Sequence, residues 1–140
     1  MKILNIGSLN IDNVYQVNHF VRAGETLPSF RLDHFAGGKG LNQSIACARA
    51  GAAIYHAGFV GKDGAFLVQY LREAGVNVQQ VKVLPDVSTG HAIIQVDQKG
   101  QNCILLYSGA NTCLTEEYVD AVITQKAGNF SDDIVPDSGD

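Results

Sequence analysis

The chain has 140 residues, 46% hydrophobic and 17% charged, a composition that suits one globular domain and excludes a disordered segment. A net charge of −4, with the ten basic residues scattered and never in a run, excludes nucleic-acid binding driven by bulk charge. No apolar stretch approaches the ~20 residues of a membrane helix, the N-terminus carries no secretory pattern, and Cys47, Cys103 and Cys113 lack the paired spacing of a disulfide framework; a reduced, cytoplasmic protein with no membrane partner is expected.

Lys2 to Leu9 reads as a buried strand, with Ile3, Leu4 and Ile6 apolar and Gly7-Ser8 ending the run. Asn10 to Asn18 is polar and reads as turn-like. Pro28 to Phe35 alternates weakly, with Phe30, Leu32 and His34 on one face, and is predicted to be a strand. Ala36-Gly37-Gly38-Lys39-Gly40 is a glycine-rich loop. Behind it, Leu41, Ile45 and Ala48 recur at helical spacing, and Gly51 is placed to end that helix in a left-handed conformation.

Ala53 to Val60 is a second apolar strand. Asp63 is expected to cap a helix whose face carries Phe66, Leu67, Tyr70, Leu71 and Ala74, with Gly75 at its end. Val78 to Leu84 reads as a strand. His91–Val96 and Asn102–Tyr107 form a hairpin around Asp97-Gln98-Lys99-Gly100. Thr115 is placed to cap a third helix with Val119, Val122 and Ile123 on its apolar face and Gly128 after its end. Ile134 and Val135 look like the start of a further strand, interrupted by Pro136. Half of the fourteen acidic residues lie at or beyond Glu116, which reads as a solvated surface.

Alternating strands and helices predict an α/β fold with a mainly parallel sheet. The central strands are apolar at successive positions, as when helices cover both sheet faces. The more polar Pro28–Phe35 segment suits a half-exposed flap.

Open α/β sheets bind ligands at the carboxyl ends of their strands. That rule singles out Gly7-Ser8-Leu9-Asn10-Ile11-Asp12. Asn10 both donates and accepts hydrogen bonds and Asp12 accepts them, which is the combination a polyol needs. The same two residues in an Asx-turn would bond only their own backbone, and spacing alone favours that reading. The Gly37–Gly40 loop is a second candidate: its glycines permit close approach of a ligand, the following helix offers backbone N–H groups, Lys39 adds a cationic donor, and Asn42 sits in the first helical turn. A tight strand-to-helix turn with Lys39 in solvent is the alternative. The loop is not a Walker P-loop, since Asp33 stands where the first Gly belongs and Gly40 where Ser or Thr belongs. It is not a Rossmann fingerprint either, since Gln43 replaces the third Gly. The four histidines are too dispersed for a local metal motif, and no metal site is expected.

Together these blocks resemble the ribokinase-like (PfkB) carbohydrate kinases. Gly7-Ser8-Leu9-Asn10-Ile11-Asp12 looks like the family's first ligand loop, and Gly24-Glu25-Thr26 like its lead-in to the lid strands. Ala36-Gly37-Gly38-Lys39-Gly40-Leu41-Asn42-Gln43 is similar to its N-terminal signature. Gly58 through Gly64, Ser88-Thr89-Gly90 with the hairpin after it, and Gly109-Ala110-Asn111 are similar to later blocks. The resemblance implies a ribokinase-like α/β fold over residues 1–140, with an incomplete parallel sheet and a small β lid formed by segments near 13–35 and 88–108. It implies transfer of the ATP γ-phosphoryl group to a sugar hydroxyl, with ATP and Mg as cofactors and ribose the favoured sugar. It places Asn10, Asp12, Gly38, Lys39 and Asn42 on the sugar hydroxyls, and a homodimer through the lid strands.

The same resemblance marks what is missing. The family's catalytic Asp lies in a late Gly-Ala-Gly-Asp motif, and its Asn-x-x-Glu element serves metal and phosphate; neither occurs in this sequence. No catalytic residue is therefore expected within the chain. It reads as the sugar-binding N-terminal part of such a kinase, inactive alone, or else as a non-catalytic sugar-binding or dimerisation module.

Overall fold

The computed structural model describes residues 1–130. The chain runs β1 (Lys2–Ile6), β2 (Asn10–Gln16), β3 (Arg31–Gly37), α1 (Lys39–Arg49), β4 (Ala53–Gly61), α2 (Ala65–Glu73), β5 (Asn77–Leu84), β6 (Gly90–Val96), β7 (Asn102–Tyr107) and α3 (Glu116–Phe130). Short 3-10 turns at Lys62–Gly64 and Gly109–Cys113 precede α2 and α3.

Two sheets divide these strands. The first is parallel, in the order β1-β4-β5, with α1 and α2 as its crossovers. The second is mixed, in the order β3-β2-β6-β7; β2 is antiparallel to β3 and parallel to β6, and β6–β7 is the expected hairpin.

The core lies between the parallel sheet and the two crossover helices. Leu41 and Ile45 of α1 and Leu67 and Leu71 of α2 meet Ile54 and Val60 of β4, all buried. These positions follow the helical and strand spacings of the sequence, so each element shows the core one continuous apolar face. Phe59, one step out of phase with Val60, faces the other way. Its ring lies 4.4 Å from that of Tyr118 on α3, and the Tyr118 hydroxyl donates to the Gln80 carbonyl at 2.5 Å. The parallel sheet is therefore covered on both faces, as its near-continuous apolar strands require.

Several expectations are corrected. Asn10–Asn18 is not a turn: residues 10–16 form β2, the strand that joins both halves of the mixed sheet. Its polar pattern hides a strand because Asn10 and Asp12 are only partly buried and do not join the apolar core. Strand β3 begins later than Pro28 and includes Ala36 and Gly37, while Lys39 already belongs to α1. Asp63 caps no helix; α2 starts at Ala65 behind Gly64, which provides no side-chain cap, and the Asp63 carboxylate turns to Thr89 instead. Phe66, Tyr70 and Ile123, assigned to apolar faces, are substantially exposed, and α3 runs on through Gly128. Ile134 and Val135 lie outside the described residues. Gly51 and Gly75 do close their helices, at φ 88° and 93°, and the Thr115 hydroxyl does cap α3, accepting from the Tyr118 amide at 3.1 Å.

Candidate functional site

The site forms where β1 ends, β2 begins and α1 starts. Two glycines set the spacing. A Cβ on Gly40 would stand 2.5 Å from the Gly7 carbonyl carbon and the Ser8 nitrogen, so the first turn of α1 packs backbone to backbone on the β1–β2 connection. Gly38 has φ 98°, a conformation that L side chains rarely adopt, and a Cβ there would lie 2.8 Å from the Ser8 carbonyl oxygen. Both positions need glycine for the two loops to touch.

The contact also decides what the helix N-terminus offers. The Leu41 amide donates to the Ser8 carbonyl at 3.0 Å, and the Gly40 amide reaches the Ser8 hydroxyl at 3.4 Å. Two of the N–H groups expected to await a ligand are thus turned to Ser8, and the α1 terminus is not an open anion cradle.

A buried relay braces the contact from behind. Asn5 Nδ2 donates to the Gly40 carbonyl and to the Ser44 hydroxyl, both at 2.9 Å. Ser44 in turn bonds His56 Nδ1 at 2.7 Å, and His56 Nε2 bonds the Gly7 carbonyl at 3.1 Å. A carbonyl only accepts, so His56 carries its proton on Nε2 and takes the Ser44 proton at Nδ1. Burial holds the His56 pKa below its ordinary value, against the Gly7 carbonyl, which favours the charged form. The neutral tautomer fits every partner.

Asn10 and Asp12 stand in front. They alternate along β2 on one face, opposite Gly37 and Phe35 in the register with β3. The Asp12 carboxylate lies against Gly37, where a Cβ would collide with it. No hydrogen bond or ion pair engages Asp12 among the described residues, and partial burial raises its pKa. Partial desolvation makes the ionised Asp12 carboxylate somewhat costly, and a donor from a ligand would offset that cost. The Asx-turn alternative fails, because both residues are in a strand and Asn10 bonds Asn111 instead of its own backbone. Lys39 and Asn42 have exposed side chains at the start of α1, with no partner among the described residues. The five residues singled out by sequence, Asn10, Asp12, Gly38, Lys39 and Asn42, thus lie on β2 and the β3–α1 junction that packs against it.

Asn111 is the residue sequence reasoning did not assign. Its Oδ1 accepts from the Leu9 amide at 3.0 Å, and its Nδ2 donates to the Leu9 carbonyl at 3.2 Å and to Asn10 Oδ1 at 2.7 Å. The two asparagines are 101 positions apart, and the only signal was the Gly109-Ala110-Asn111 block.

A second clamp anchors the mixed sheet. Thr89, fully buried before β6, donates to Asp63 from its amide at 3.0 Å and its hydroxyl at 2.6 Å, and its hydroxyl accepts from the Gly61 amide at 2.8 Å. Burial alone would raise the Asp63 carboxyl. The Thr89 bonds and nearby His91 outweigh it and hold the pKa below its ordinary value.

Comparison with known proteins accords with this geometry. The family model described as "pfkB family carbohydrate kinase" matches residues 1–136. A bifunctional ribokinase/ribose-5-phosphate isomerase A from Fructilactobacillus sanfranciscensis is 40% identical over 124 residues, covering 86% of this chain and 23% of that protein. The ribokinase from Cryptococcus neoformans var. grubii, solved with ADP, superposes with a TM-score of 0.73 at 43% identity, over 78% of this chain and 35% of that one. Arabidopsis thaliana ribokinase, solved with ribose and ATP, gives 0.71 at 31% identity, over 77% and 36%. The chain thus spans well under half the length of each of these relatives. Its α/β fold, with a helix-flanked parallel sheet and a separate mixed sheet, is ribokinase-like, and the chain belongs to the pfkB family of carbohydrate kinases.

Proposed function

We propose that this chain supplies the sugar-holding part of an ATP-dependent carbohydrate kinase, with ribose as the sugar. The observation that carries the reading is the Asp12 carboxylate: half-buried, raised in pKa and without a donor among the described residues, beside Asn10 and against Gly37. Sugar hydroxyls are donors, and each one bonded to Asp12 would compensate its desolvation. Asn10 would add a donor of its own, with Lys39 and Asn42 closing on the same polyol from the start of α1. The Arabidopsis relative solved with ribose and ATP supports ribose among sugars.

Fixing the sugar matters for the chemistry. Phosphoryl transfer depends chiefly on holding the acceptor oxygen in line with the transferred group, and positioning of this kind contributes several kcal/mol, roughly 7–11 at best. ATP with Mg would supply the phosphoryl group. The role given to this chain is binding and orientation of the sugar, through Asn10, Asp12, Lys39 and Asn42.

A second reading, assembly through the mixed sheet, is favoured by its surface. Ile104, Leu105, Leu106 and Tyr107 of edge strand β7 are each more than half exposed, as is Phe35. An apolar edge of this kind invites pairing, and a homodimer through these lid strands is compatible with sugar binding.

The test of the sugar reading is calorimetric titration of ribose into the chain, with Asp12→Ala as control. Saturable heat that disappears in the variant is expected. No heat from a wild-type chain shown to be folded would overturn the reading.

A further inference from the structure

Asn111 touches no position assigned to the sugar except Asn10, yet its bonds dictate how Asn10 meets a ligand. The Leu9 backbone orients Asn111 first. An amide N–H only donates and a carbonyl only accepts, so the Asn111 atom facing the Leu9 nitrogen at 3.0 Å is Oδ1 and the atom facing the Leu9 carbonyl at 3.2 Å is Nδ2. The same Nδ2 has its second hydrogen 2.7 Å-bonded to Asn10, and the Asn10 atom receiving it must be an acceptor, Oδ1. Asn10 Nδ2 then has no partner among the described residues and is left to face outward.

The surroundings leave little freedom for another arrangement. A Cβ on Gly90 would collide with Asn111 Nδ2 and stand 2.5 Å from Asn10 Oδ1, so the pair fills the space over the start of β6. Asn111 is itself held by a 3-10 turn. The Ala110 amide donates to the Ser88 carbonyl at 2.8 Å and the Asn111 amide to the Ser108 carbonyl at 3.1 Å.

We propose that Asn111 is a positioning residue that fixes the polarity of the sugar site, locking Asn10 as a hydrogen-bond donor so that the site reads one acceptor oxygen at Asn10 and one donating hydroxyl at Asp12. The inference rests on the sugar-site reading and deepens it. Asp12 is acceptor-only when ionised, and Asn10, with Oδ1 held by Asn111 and crowded by Gly90, offers the ligand its unpartnered Nδ2 donor. A polyol hydroxyl facing Asn10 must accept and one facing Asp12 must donate. The site therefore distinguishes sugar oxygens by hydrogen-bond direction as well as by place, and the device that sets the direction lies 101 positions along the chain, in the Gly109–Cys113 turn.

Fluorinated sugars read direction, since fluorine accepts weakly and cannot donate. For each ribose hydroxyl, the deoxyfluoro and deoxy analogues are titrated into the chain and their Kd values compared. The wild type is expected to show one position where fluorine binds better than hydrogen, the oxygen facing Asn10. Asn111→Asp keeps the shape and the bond from the Leu9 amide but cannot donate to Asn10. Ribose affinity should fall roughly tenfold, the value of about one hydrogen bond, and the fluorine preference should vanish. A purely structural role would lower affinity while leaving the preference intact, and that result, or unchanged affinity, would overturn the proposal. If the wild type binds no ribose, the sugar reading fails separately. The lock is then read by NMR on the unliganded chain, where Asn10→Ala should shift the Asn111 side-chain amide and speed its exchange with solvent; an unaltered amide would refute the lock.

Discussion

The parallel sheet and the mixed sheet use apolar residues in opposite ways. In the first, Ile54, Val60, Leu41, Ile45, Leu67 and Leu71 are all turned into one core. In the second, Phe35, Ile93, Ile104, Leu105, Leu106 and Tyr107 remain on the surface. The mixed sheet is joined to the core mainly at its base, through Ile11 and Ala36, and through the polar clamps Asn111–Leu9 and Thr89–Asp63. Burial thus stabilises the parallel sheet, whereas the mixed sheet is a flap that leaves apolar surface exposed. The candidate site sits on the seam, where a rigid helix start meets the first strand of the flap.

The sharpest way to break the contrast is a truncation in the core. Leu67→Ala should cost about 2–5 kcal/mol, read as a lowered denaturant midpoint. The next effect is in the relay behind the site. Ser44→Ala leaves His56 Nδ1 and one hydrogen of Asn5 without partners in a buried place, and should cost about 1–3 kcal/mol. The same relay makes stability depend on pH. The His56 pKa is depressed in the fold from 6.5, so the unfolded chain takes up its proton first as pH falls. Stability from this group is complete above about 6.5 and is lost as pH drops below it. The thermal midpoint should therefore fall between pH 7 and 5, and fall less in His56→Asn.

A smaller effect has the opposite sign. Asp12 has a raised pKa, so its ionised form opposes folding; stability from this group is present at low pH and lost as pH rises from 3.8 through the folded value. Asp12→Asn should raise the midpoint at pH 7 by about 1–2 °C while abolishing ribose binding, the mark of a residue kept for a ligand. The smallest effect on stability belongs to the flap. Leu105→Ser should change unfolding by no more than ~0.5 kcal/mol, yet shift any dimer toward monomer in light scattering. A large loss of monomer stability would remove the distinction between the two sheets.

The legible part of the fold was the part with period. Leu41, Ile45, Leu67 and Leu71 repeat at helical spacing, and β4 is apolar apart from His56 and the Tyr55 hydroxyl, so the core could be read in order. Strand β2 was not legible, because its polar residues mask the alternation of a strand: Asn10 bonds Asn111 and Asn13 bonds His34, contacts that no local pattern reports. Asp63 looked like a cap because Asp before a helix usually is one, yet Thr89, 26 positions away, claims its carboxylate. The five candidate residues were singled out through the glycine-rich loop and the family's blocks, and the structure brings the segments that carry them together. Asn111 was not, since no local pattern reports a bond between residues 101 positions apart.

Hydrogen exchange of the chain, with and without ribose, tests the central claim most directly: a stable parallel sheet, a flap, and a sugar site on their seam. Slow exchange is expected in β1, β4 and β5 and faster exchange in β6 and β7, with ribose protecting residues 8–12, 36–42 and 109–111 selectively. Equal protection of both sheets, or ribose at saturation leaving those three segments unchanged, would contradict it.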